Sequence, residues 1–123
     1  MSKIIYKELS YKIVGILYEV YNELGSGYQE KYYQRAVSLK LDREKIKHQD
    51  QIPIELIIEG KSIGLDSWIE DKIILELKVG NRLYPRDYRQ VRAYLKKFNL
   101  GLGILALFSK EGVKYERILN RIK

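Results

Sequence analysis

The segment Leu65-Asp66-Ser67-Trp68-Ile69-Glu70-Asp71-Lys72-Ile73-Ile74-Leu75-Glu76-Leu77-Lys78 constrains the fold more than any other part of the chain. It reads as two short strands around a turn, with charged side chains where an apolar hairpin would not place them. Along the second strand, Ile73, Leu75, Leu77 and Val79 fall on one face and Ile74, Glu76 and Lys78 on the other. Loop length decides where Asp66 lies. A two-residue turn sets it opposite Leu75, a whole sheet thickness from Glu76. The odd-length loop Glu70-Asp71-Lys72, a common hairpin type, sets it opposite Glu76 and on the same face.

Directly opposite residues have Cβ atoms roughly 4.5–5.5 Å apart. Two carboxylates at that separation repel unless a cation sits between them or one takes up a proton. Mg²⁺ suits such a pair, because it is usually held by one or two carboxylates plus waters and substrate phosphate oxygens. Lys78 points the same way as Glu76 and can reach a phosphate or an attacking water. Glu and Lys two apart on a strand are also the ordinary pattern of a solvated sheet face. Against that stand Ile73-Ile74-Leu75, apolar on both faces, and Trp68 on the Asp66 side. A sheet covered at one end with charges emerging at the other describes a cleft.

At 123 residues the chain is expected to form one domain, 1–123, with a genuine core. With no cysteine, neither a disulfide framework nor a thiolate metal site is possible. The single His48 cannot build a histidine zinc centre, and its polar surroundings, Lys45 to Gln51, suggest solvated surface. No stretch approaches the ~20 apolar residues of a membrane span. The N-terminal residues lack a signal-peptide pattern, so a cytoplasmic protein without membrane partners is expected. The net charge of +7 favours polyanion partners. Arg82, Arg86, Arg89, Arg92, Lys96 and Lys97 cluster within sixteen residues, and eleven tyrosines are spread along the chain. Tyrosines are more often half-buried packing residues than base-stacking platforms.

Lys7 to Leu24 carries Leu9, Ile13, Ile16, Leu17, Val20 and Leu24 at helical spacing, with Gly25 closing the helix. Ser26 and Gln29 fit a capping box opening a second helix that runs to about Glu44. Strands follow over Gln51–Ile58, Ser62–Ile69 and Ile73–Val79, with Glu59-Gly60-Lys61 as the first turn. Pro85 suits the first turn of a helix continuing to Phe98. Gly101 to Phe108 reads as a buried strand, and Val113 to Ile118 as an edge strand. The fold class is therefore α/β, with helices against a mixed sheet.

Two helical positions stand out. Glu30 projects onto the stripe of Tyr33, Val37 and Leu41, facing the sheet, although an acidic residue there also simply complements a helix N-terminus. On the third helix Tyr84, Tyr88, Val91, Leu95 and Phe98 form the expected buried seam. Gln90 and Tyr94 flank it, while Arg86, Arg89, Arg92 and Lys96 turn outward. Gln90 is either a neutral boundary residue or a hydrogen-bonding partner for a site at the sheet edge.

The order Glu30, Asp66, Glu76-Leu77-Lys78, Gln90 resembles the PD-(D/E)xK phosphodiesterase superfamily. Within it the chain is similar to the GxxExxY family, whose motif here reads Gly27-Tyr28-Gln29-Glu30-Lys31-Tyr32-Tyr33. The likeness runs from the first helix to Gly101-Leu102-Gly103. It implies a restriction-endonuclease-like αβββαβ core with an extra N-terminal helix. It also implies a Mg²⁺ or Mn²⁺ site with Asp66 and Glu76 as ligands, the Leu77 carbonyl assisting and Glu30 as a further ligand or acceptor. Lys78 would position or activate the water and Gln90 would orient it or Lys78. Two positions depart from the pattern. Gly64-Leu65 stands before Asp66 where relatives often carry a basic residue, and Asp87 where a histidine is common.

The expectation is a metal-dependent nuclease acting on nucleic acid, DNA first, with Arg86, Arg89 and Tyr94 as candidate nucleic-acid contacts. Cutting both strands of a duplex would need a homodimer, since one chain offers one active centre. Two rivals stay open: a non-catalytic nucleic-acid-binding module of the same fold, and an interaction domain in which Glu30, Asp66, Glu76 and Lys78 form only a buried ion-pair cluster.

Overall fold

The computed structural model describes residues 6–58 and 61–120, with the backbone alone for residues 53–58 and 61–64. The elements run α1 (Lys7–Leu24), α2 (Glu30–Arg43), β1 (His48–Ile58), β2 (Lys61–Ile69), β3 (Ile73–Val79), α3 (Pro85–Phe98), β4 (Leu102–Ser109) and β5 (Gly112–Leu119). This is the expected αβββαβ order behind an additional N-terminal helix, with the edge strand realised as β5. Of the expected turn Glu59-Gly60-Lys61, Glu59 and Gly60 lie outside the described residues, and Lys61 opens β2 paired with Ile58.

The strands lie side by side in the order β1-β2-β3-β4-β5. All neighbours are antiparallel except β3 and β4, between which α3 returns the chain so that they run parallel. Helices α1 and α2 cover one face. Ile13, Leu17, Val20, Tyr33 and Val37 meet Ile73, Leu75, Leu77, Ile104 and Phe108 there. Helix α3 covers the other face, where Val91, Tyr94 and Leu95 meet Leu65, Ile74, Leu105 and Ile118. Strands β3 and β4 are thus buried on both sides, which is why they read as nearly continuous apolar runs.

One close approach sets the height of α3. A Cβ on Gly103 of β4 would lie 2.5 Å from Val91 Cγ1, so only glycine lets the helix descend this far. Val91 neighbours Gln90, so this contact also sets how deeply Gln90 reaches.

Three expectations are corrected. The capping box at Ser26 does not form: α2 begins at Glu30, Gln29 is its N-cap, and no side chain caps it. The preceding loop is instead held by the Tyr33 hydroxyl, which donates to Gly25 O at 2.6 Å, while Gly25 and Gly27 adopt φ of 70° and 96°. The seam of α3 is rotated. Asp87, Val91, Tyr94 and Leu95 are its buried residues, whereas Tyr84 is 40% exposed. The approach at Gly103 centres the buried face on Val91, and Asp87 and Tyr94, one turn before and after, follow it inward. His48, finally, is not solvated. Its side chain is only 9% exposed, and its two ring nitrogens lie 2.7 Å from Asp42 Oδ1 and 2.7 Å from Asp50 Oδ1. The two carboxylates raise its pKa, overcoming the opposing effect of burial.

Candidate active site

The hairpin register follows from its loop. Ser67 pairs with Leu75, Trp68 with Ile74 and Ile69 with Ile73, leaving the three residues Glu70–Lys72 as the connection. Glu70 and Asp71 take φ of 53° and 56°, the left-handed turn that returns the chain in this register. The next pair would be Asp66 and Glu76, and there side chains replace the backbone ladder. Glu76 Oε1 accepts the Asp66 N–H at 3.0 Å, and Asp66 Oδ2 accepts the Leu77 N–H at 2.7 Å. The paired residues Asp50–Ser67 and Ile52–Leu65 bracket Gln51, which has φ 49° opposite Asp66. Leu65 packs beneath α3 and Ile69 beneath α1 and α2, so β2 turns over at Asp66. This twist parts β2 from β3 and makes a notch.

Gln90, from α3, closes the notch. Its Nε2 donates to Glu76 Oε2 at 3.0 Å and to the Tyr94 hydroxyl at 2.8 Å, and its Oε1 accepts from Lys78 Nζ at 3.1 Å. This amide orientation is the one the charges demand, with the carbonyl towards the cation and the NH₂ towards the carboxylate. Lys78 Nζ also lies 3.6 Å from Glu76 Oε2 and 3.8 Å from Asp87 Oδ1. Asp87 is itself buried, and its Oδ2 accepts the Tyr84 N–H at 2.8 Å to start α3.

The carboxylates hold their protons unusually tightly. Burial, then the Asp66 charge, pushes Glu76 well above the ordinary carboxylate range. Burial also raises Asp66, against the opposing hydrogen bond from Leu77. Glu30, the first residue of α2, is pushed up to about 7 by burial and by the Asp66 and Asp87 charges, with Lys78 opposing. Glu30 therefore belongs to the same electrostatic cluster, reached from the opposite face of the sheet at the end where β2 and β3 part. Lys78 supplies one positive charge among four carboxyl groups, which is the condition under which a further cation is attracted.

The donor set suits a hard cation in chemistry: carboxylates with raised proton affinity, and no sulfur or imidazole. Convergence is another matter. Among the described residues no three His, Cys, Asp or Glu side chains stand together as a ready-made metal cage. Both Glu76 oxygens already accept hydrogen bonds, whereas the bond to Asp66 falls on Oδ2. Leu77, assigned through its carbonyl, gives its N–H to Asp66 and runs beside Ala106 of β4.

Of the candidate nucleic-acid contacts, Arg86 is exposed and lies 5.1 Å from the ring centre of Tyr84, with Arg82 4.8 Å from the same ring. Arg89 is also exposed. Tyr94 is corrected. It is fully buried, its hydroxyl is tied to Gln90, and it holds that amide in place from within the core. Asp87, read from the sequence only as standing where a histidine is common and given no role, lies on the buried stripe of Val91 and Tyr94, where a charged residue needs a partner.

A family model of the PD-(D/E)XK nuclease superfamily matches residues 7–120. Among solved structures the chain is similar to an alkaline exonuclease (LHK-Exo) from Laribacter hongkongensis. The TM-score is 0.53 at 10% identity, over 98% of this chain and 73% of that one. The crystal structure of SSO0001 gives a TM-score of 0.47 at 14% identity, over 95% and 80% of the two chains. At 10% identity the likeness to the exonuclease concerns the fold alone. No curated protein matches the sequence.

Proposed function

Because the chain belongs to the PD-(D/E)XK nuclease superfamily, we propose that it is a divalent-metal-dependent nuclease hydrolysing phosphodiester bonds in DNA. The observation that carries this reading is the meeting of Asp66, Glu76, Lys78 and Gln90 where the hairpin opens, with Glu30 and Asp87 facing them. Nucleases of this superfamily generally use divalent metals. Here Asp66 and Glu76, with Glu30 and the Leu77 carbonyl, would hold Mg²⁺ or Mn²⁺. A bound ion supplies charge stabilisation at the phosphoryl oxygen and lowers the pKa of its water.

The chain's own residues do the rest. Gln90 aims the Lys78 ammonium, which offsets the charge that develops on the phosphate oxygens. The basic surface, including Arg86 and Arg89, draws in the polyanion. The GxxExxY assignment is supported by its motif residues: Glu30 joins the cluster and Tyr33 locks the loop that presents it. Cleavage of both strands of a duplex would call for a homodimer.

One observation favours a second reading, a binding module without catalysis: the Glu76 carboxylate is fully engaged by protein hydrogen bonds. The two are separated by incubating the protein with single- and double-stranded DNA and RNA in Mg²⁺, in Mn²⁺ and in chelator, beside Glu76→Ala and Lys78→Ala. Metal-dependent cleavage lost in both variants is the expected result. Binding without cleavage under every condition would establish the second reading instead.

A further inference from the structure

A second feature adjoins the carboxylate cluster. Between α2 and β1 runs an open groove of about 520 Å³, within the size range of small-ligand sites. Its lining neighbours the candidate active site, along the chain or across the sheet, at three places. Lys31 of its wall follows Glu30, Gln51 stands opposite Asp66, and Ser67, bonded to its floor, follows Asp66.

The rim and the floor differ in chemistry. Lys31, Tyr32 and Arg35 form an exposed rim, with the Lys31 ammonium 5.2 Å from the centre of the Tyr32 ring. Tyr32 is 47% exposed. The floor is polar and tied together. Gln34 Nε2 donates to Ser67 Oγ at 2.8 Å, Ser67 donates to Asp50 Oδ1 at 3.1 Å, and Ser38 donates to Asp50 Oδ2. His48 holds Asp50 from behind. The Asp50 carboxylate is therefore committed to protein partners, and the two rim cations set the charge a ligand meets.

Gln34 is only 5% exposed, and its Oε1, which has no hydrogen-bond partner among the described residues, is buried below the floor and out of a ligand's reach. The contacts open to a ligand are therefore those of the rim. A ligand completing this groove needs a flat face to lie on Tyr32 and an anionic group for Lys31 and Arg35. A nucleotide has both. Pairing within a duplex would bury the face of its base, so the base must be unpaired.

We propose that the groove between α2 and β1 receives an unpaired nucleobase of the substrate strand, close to the phosphate presented to Glu30, Asp66 and Glu76. The inference rests on the nuclease reading for the origin of that nucleotide, so its test is independent of turnover. Binding of a labelled single-stranded oligonucleotide is measured by fluorescence anisotropy in chelator, where no metal-dependent cleavage occurs. An otherwise identical strand carrying abasic positions is run beside it.

Wild type should bind the base-bearing strand roughly tenfold more tightly than the abasic one. Tyr32→Ala should bind both equally, at the weaker affinity. Its melting temperature should change little, because Tyr32 is nearly half exposed and lies outside the hydrophobic core. Arg35→Ala should weaken both strands alike, as expected of a phosphate contact. Equal affinity of wild type for both strands overturns the proposal. So does tight binding of a free nucleoside monophosphate with no gain from the oligonucleotide, which would make the groove a mononucleotide site. The base-dependent pattern persisting in a protein that cleaves nothing would support the groove while removing the nuclease reading. Cleavage without the pattern would do the reverse.

Discussion

Lys78 Nζ lies 3.1 Å from Gln90 Oε1 but 3.6 Å from the Glu76 carboxylate, so an amide from α3, rather than the neighbouring acid, sets the direction of the ammonium. The same amide donates to Glu76, which makes Gln90 the joint between the two charged groups of the strand. The shared amide fixes the ammonium beside Glu76, at an edge where it can meet an incoming anion.

Gln90→Ala should therefore lower the single-turnover cleavage rate about 10–100-fold, the usual cost of removing a group that orients a catalytic one. Oligonucleotide affinity in chelator should change little. A rate within twofold of wild type would remove the positioning role.

Glu76→Gln keeps an acceptor for the Asp66 N–H while deleting a charge that burial and Asp66 both disfavour. Cleavage should be lost, and in chelator at pH 8 the variant should melt no lower than wild type. A large drop in melting temperature would mean that the carboxylate serves folding, as a paired structural charge would.

The pH dependence of the metal-free protein has a defined sign. Glu30 titrates near 4.5 when unperturbed and at about 7 in the folded chain, and Asp66 and Glu76 shift in the same direction. The folded state thus retains protons that the unfolded state has released. For Glu30 this stabilisation is complete below about pH 4.5 and is lost as pH rises through about 7. His48, also raised, adds to the loss above its unperturbed 6.5. In chelator the melting temperature should fall between pH 5 and pH 8, and Glu30→Gln should flatten part of that slope.

Metal addition should oppose this trend. A cation competes with protons for the same carboxyl oxygens, so Mg²⁺ or Mn²⁺ should raise the melting temperature more at pH 8 than at pH 5.5. Equal shifts at both pH values would place the bound ion away from these groups.

Gly103→Ala should cost about 1–3 kcal/mol in urea unfolding, because the new methyl meets Val91 Cγ1 at 2.5 Å and α3 must lift. Cleavage should fall as well, since Gln90 moves with the helix. Combining it with Val91→Ala should restore part of both.

The amino-acid sequence alone determined the element order and the two buried central strands, and it narrowed the hairpin to two registers between which the structure chose the three-residue loop. These depend on local rules: a period of two along Ile73–Val79 and proline at the start of α3. Lys78 beside Glu76 follows from them, and Asp66 opposite Glu76 follows from the three-residue loop at Glu70–Lys72.

Tertiary packing decided the rest. Glycine at 103 allows the close approach of α3, and that approach turned Asp87 and Tyr94 inward and brought Gln90 between Lys78 and Glu76. A period of 3.6 does not reveal where a helix face is centred to within one residue, and Tyr84 and Tyr94 exchanged their expected environments for that reason. His48 is a second case. Its immediate neighbours in the chain are polar, but its environment is made by Asp42 from α2 and Asp50 one turn of the pleat away. Hydrogen bonds between distant segments carry no periodic signature, so only the folded chain could reveal them.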